Sequence, residues 1–131
     1  MLRRLSIIAA AAAMLTLSAL PAGATTHSST HKLAFPSHRG ISAWGTYKKT
    51  SRGIYVNICV KNTGNAFAAG AVAVGTNASG SRSANLGAVE LGRGTQCRFG
   101  TIRYSAHLKT YIVTWNNHGQ VSYKSGYKKI F

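Results

Sequence analysis

The sequence predicts an all-β fold: one antiparallel β-sandwich of about seven short strands, held by one disulfide. Three observations lead there. Apolar and polar residues alternate in several segments after residue 41, and a two-residue period belongs to a strand with one buried face. Clusters of Gly, Asn and Ser interrupt these segments at short, regular intervals, the spacing of a sandwich or barrel. Two cysteines, Cys59 and Cys97, complete the picture, because a pair in an exported chain normally bridges.

The elements follow in order. A first strand is expected around Ile41 to Lys48, with Trp44 and Tyr47 in it. Ile54, Val56, Ile58 and Val60 alternate with Tyr55, Asn57, Cys59 and Lys61 in the clearest strand of the chain. Asn62 to Asn65 supplies a turn. Phe67 to Thr76 is rich in Ala, which also favours helix, but Gly64, Gly70, Gly75 and the pair Val72 and Val74 favour a strand. A turn around Asn77 to Gly80 precedes Ser83 to Leu91, and Gly92-Arg93-Gly94 ends that segment. Gln96 to Ser105 alternates around Ile102 and Tyr104. Leu108 to Trp115 is β-branched and aromatic, and Asn116-Asn117-His118-Gly119 after it is a hairpin signal, because Asn and Gly tolerate positive φ. Val121, Tyr123, Ser125 and Tyr127 alternate in a last strand.

The N-terminus predicts export. Arg3 and Arg4 precede an apolar run from Leu5 to Leu20, and Pro21 and Ala22-Gly23-Ala24 close it with small residues. That order is a cleavable signal peptide over residues 1–24; the run is shorter than the roughly 20 residues a membrane-spanning helix needs. Residues 25–40 are polar and aperiodic, which predicts a flexible N-terminal leader before a sandwich domain over residues 41–131. The expected location is extracellular, with no transmembrane segment in the mature chain.

Charge is the second strong bound. The chain has 16 Lys and Arg against one acid, Glu90, and no Asp. Without Arg3 and Arg4, fourteen cations still face that single acidic side chain. This composition removes the Ser-His-Asp triad, the carboxylate pair of ordinary glycosidases and most carboxylate metal sites. One enzymatic alternative survives: a ribonuclease with Glu90 as base, His107 or His118 as acid and an Arg for the developing charge. The plainer role for Glu90 is a surface partner of Arg93 or Lys61. His27 and His31 are four apart, a helical metal spacing, but their Ser- and Thr-rich surroundings form no helical face. Asn77-Ala78-Ser79 matches a glycosylation sequon that in a bacterial chain is only a turn. Neither a metal nor a cofactor is implied.

Binding is the expected function. Basic residues group at Lys48, Lys49 and Arg52, at Arg93, Arg98 and Arg103, and at Lys124, Lys128 and Lys129. Tyr104, Tyr111 and Tyr123 interleave with them, a combination suited to phosphate contact plus stacking. Arg98 and Lys124 are expected on the solvent face if Ile102 and Tyr123 point inward. Solubility alone asks for a net charge of about 2–8 in a small domain, and this chain exceeds it. The expected partner is an extracellular polyanion: a cell-wall polymer, nucleic acid or acidic polysaccharide. The alternative is an antimicrobial or inhibitory protein acting on anionic cell surfaces.

The run from Ile54 to Gly64 resembles a strand and turn of immunoglobulin-like or adhesion-type β-sandwich modules, and Tyr111 to Trp115 is similar to a second strand of that architecture. The layout from Ile41 to Phe131 resembles small secreted actinobacterial β-sandwich proteins, many without assigned function. The resemblance implies an immunoglobulin-like sandwich whose disulfide could staple the two sheets together. No Trp stands at the expected spacing between the cysteines, so a bridge on a surface or edge stays open. The resemblance brings no catalytic residues.

Overall fold

A computed structural model describes residues 29–103 and 105–131. The expected signal peptide, His27 and Tyr104 lie outside the described residues. Among the described residues there is no helix, and none is long and apolar enough to cross a membrane.

Among the described residues, nine strands form two antiparallel sheets: β1 His31–Lys32, β2 Ile41–Thr50, β3 Gly53–Asn62, β4 Ala68–Thr76, β5 Ser83–Leu91, β6 Gly94–Arg103, β7 His107–Trp115, β8 Val121–Lys124 and β9 Lys128–Lys129. The seven longer strands are those the alternation predicts. Sheet A has the order β1-β2-β3-β6; sheet B has the order β5-β4-β7-β8, with β9 also paired to β7. The chain therefore crosses between sheets after β3, after β5 and after β6. This is the expected β-sandwich.

The core lies between the sheets. Ile54, Val56, Ile58 and Val60 project from β3, and Ala69, Ala71 and Ala73 meet them from β4, with Leu108 and Ile112 beside them on β7. Alanine is useful on β4 for its size: small side chains at the centre of sheet B admit the branched chains of sheet A, as close packing requires. Asn62, 1% exposed, clasps one end of the sandwich. Its Nδ2 donates to Ala66 O at 2.9 Å and to Gly92 O at 2.8 Å, while its Oδ1 accepts from Gly64 N at 3.2 Å. One side chain thus ties together the two crossovers that leave β3 and β5. At the β7–β8 hairpin, Asn116 Oδ1 accepts from the backbone of His118 and Gln120, and Gly119 takes φ 73°.

Two expectations need correction, and one choice left open is decided. First, His31 to Gly40 does not stand off as a flexible leader. Leu33 is buried and donates its N–H to Gly45 O at 2.9 Å, Thr110 Oγ1 donates to Ala34 O at 2.7 Å, and His38 stacks on Tyr123 at 3.8 Å. The segment fills an edge of the core and finds partners for its backbone there. Second, of the two placements open for the Cys59–Cys97 bridge, the one on a surface holds, and the bridge does not join the two sheets. The two residues are directly opposite on the neighbouring strands β3 and β6, on the outer face of sheet A. Third, Arg98 shares the face of Ile102, because the register pairs Ile58 with Arg98 and Ile54 with Ile102. It stays exposed because β6 is the edge of its sheet.

Candidate cationic site

Antiparallel pairing brings distant basic residues to one end of the sandwich. In sheet A, the β2–β3 turn carries Arg52, Lys48 and Lys49 lie opposite Tyr55 and Ile54, and Arg103 lies opposite Gly53. In sheet B, Arg82 closes the β4–β5 loop, Lys109 lies opposite Val74, and Lys128 and Lys129 pair with Thr110 and Lys109. The β6–β7 connection joins these sets, with Ala106 N donating to Thr76 O at 2.8 Å. Eight of the fourteen Lys and Arg of the described residues therefore sit at this end.

The only acid of the described residues is elsewhere. Glu90 is opposite Ala69, near the far end of β4 from Thr76. Seven residues of strand separate the two positions, about 23 Å at the usual rise. The sandwich is therefore electrically polarised along its strands. His107 pairs with Thr76, so it lies at the cationic end, a strand length from Glu90. No group of three His, Cys, Asp or Glu able to hold a metal occurs among the described residues.

A shallow pocket of about 240 Å³ opens within the cationic end, lined by Thr76, His107, Lys109, Tyr127, Lys129 and Phe131 among others. Two lysines are held over its rings: Lys109 Nζ is 3.9 Å from the Tyr127 centroid and Lys49 Nζ is 4.1 Å from that of Phe131. Such contacts restrain an ammonium group and leave its other side open to an anion. Lys109 and Lys129 face each other directly, a like-charge pair that opposes folding. Lys124 continues the cluster along sheet B, 4.8 Å from the Tyr111 ring and 5.6 Å from that of Tyr127.

Of the residues singled out in the sequence, Lys48, Lys49, Arg52, Arg103, Lys128 and Lys129 converge here, with Lys124 and Tyr111 adjoining. Arg93 is at the opposite end, Arg98 is on the β6 edge, and Tyr123 is engaged by His38. Arg82 and Lys109 belong to the site and were not singled out. Lys109 carried a usable signal: it alternates with Leu108 and Thr110, which are buried, and so shares the open face of Tyr111.

A larger groove of about 950 Å³ lies at the other end, between His38–Ile41, Thr63–Ala66 and Tyr123. Arg39 is its one Lys or Arg, and the His38 ring is covered by Tyr123. Size favours that groove, but charge and aromatic contacts favour the cationic end. Charge is the quantity this chain has in excess.

No protein-family model, curated protein or solved structure matches the chain.

Proposed function

We propose that this is a secreted, non-enzymatic binding module for an extracellular polyanion, which docks at the end of the sandwich carrying Arg52, Arg103, Lys109 and Lys129. One observation carries the reading: eight cations from both sheets gather at one end, and the only acidic side chain, that of Glu90, lies near the other. Self-repulsion makes such a cluster unfavourable to the folded state on its own, and a bound polyanion relieves it. The signal-like N-terminus and the formed disulfide support an extracellular setting.

The test is retention on heparin, DNA and purified cell wall over a salt series. Retention is expected to fall steeply with salt, through release of counterions from the polymer. Elution from all three near physiological salt, with no slope, would remove the proposal.

The alternative, action on anionic cell surfaces, gains support from Phe67, Leu91 and Val121, which expose 54%, 75% and 56% of their surface. Dye release from anionic vesicles distinguishes it; intact vesicles at high protein concentration leave the binding module alone.

A further inference from the structure

The outer face of sheet A holds three large rings that the core does not use. Trp44 on β2, Tyr55 on β3 and Phe99 on β6 are 44%, 39% and 69% exposed. The register places all three on one face: Trp44 is opposite Cys59, Cys59 opposite Cys97, and Tyr55 and Phe99 alternate along the same strands. Tyr55 and Phe99 have centroids 6.4 Å apart and planes tilted by 42°, so neither ring covers the other. Between them stand small polar residues, Thr46, Asn57 and Thr101. The cross-strand disulfide lies beside Trp44 and pins β3 to β6, which fixes the relative positions of Tyr55 and Phe99.

The same face is bounded by cations. Lys48 is directly opposite Tyr55, Arg103 follows two positions after Thr101 on the same side of β6, and Lys61 closes the other end. Lys48 and Arg103 also belong to the cationic end, so the rings and the docking site form one continuous surface. Exposed rings flanked by cations match a polymer with flat faces and a charged backbone. Duplex nucleic acid hides its base faces in its own stack, and bases become available to aromatic side chains only when single-stranded.

We infer that the polyanion is single-stranded nucleic acid, its bases stacked on Trp44, Tyr55 and Phe99 and its phosphates on Lys48, Arg103 and the adjoining cationic end. This rests on the polyanion-binding reading and narrows it to one chemical class.

The experiment compares an oligothymidine, an abasic phosphodiester of equal length and heparin, at one salt concentration. Trp115→Phe serves as background, so that Trp44 is the remaining tryptophan. The oligothymidine is expected to quench Trp44 fluorescence and to bind at least about tenfold more tightly than the abasic polymer. Tyr55→Ala and Phe99→Ala are each expected to lower its affinity about tenfold and to leave the abasic polymer and heparin unchanged. Thermal unfolding of each variant checks that the sandwich persists, as expected for exposed positions. Equal binding of the base-bearing and abasic polymers, with Trp44 unquenched, overturns this inference and leaves the polyanion reading standing. Preference for heparin, weakened by Phe99→Ala, assigns the face to an acidic polysaccharide and also overturns it. Absence of binding to all three, together with no salt slope in the retention series, overturns both readings.

Discussion

Lys109 and Lys129 are direct partners across the β7–β9 ladder, two like charges side by side at the end of the molecule. Their repulsion is a cost that the fold does not need. Lys129→Thr is therefore expected to stabilise the protein by about 0.5 kcal/mol and to weaken retention on a polyanion. Urea unfolding and a salt-gradient column measure the two effects. A loss of stability together with unchanged retention would count against a binding role for this end.

The polarised charge distribution makes a second prediction. Arg52→Ala and Arg103→Ala at the cationic end should each reduce the salt slope on single-stranded DNA by about 0.7 per lost phosphate contact. Arg39→Ala and Arg93→Ala at the other end should leave it unchanged. Equal effects at both ends would mean that total charge, and not its placement, governs binding.

The disulfide offers a third test. It closes a separation of 38 residues, for which the chain-entropy model gives about 4 kcal/mol. It lies outside the core, so replacing Cys59 and Cys97 together by Ala opens no cavity there. Denaturant unfolding of the double variant should show a loss near that size with the sandwich intact. A loss below about 1 kcal/mol would mean that the β3–β6 pairing already restrains the unfolded chain.

Asn62 is expected to matter more than its size suggests. Asn62→Ala strands two part-buried carbonyls and one part-buried N–H that it now satisfies. A destabilisation of about 2 kcal/mol is expected, since an unpaired buried group costs on the order of 1–3 kcal/mol and water reaches these three in part. Equilibrium unfolding against Thr63→Ala, an exposed neighbour, checks it.

Gly70 provides a packing test. A Cβ there would meet Trp115 Cη2 at 2.9 Å, Cζ3 at 3.0 Å and Val113 Cγ1 at 3.1 Å. Gly70→Ala should push the indole off β4, shift its fluorescence towards the solvent-exposed value and cost about 1–3 kcal/mol. An unmoved spectrum would show that the ring slides aside without losing its cover.

The sequence by itself determined the strand segments, the Asn116–Gly119 hairpin and the cysteine pair, because these depend on local period, local turn chemistry and residue count. It also held the true face of Arg98: four positions from Ile102 is two full strand periods, so the two share a side. Only the tertiary structure decided which strands lie together. Alternation tells which side chains share a face and is silent on the neighbour across the ladder, which is set by packing between segments far apart in the chain. For that reason Arg52, Arg82, Arg103, Lys109 and Lys129 looked scattered and converge only in the folded sandwich. Leu33 looked like an isolated apolar residue in a polar arm for the same reason: the surface that buries it is built by segments distant in the chain, and no local pattern announces it.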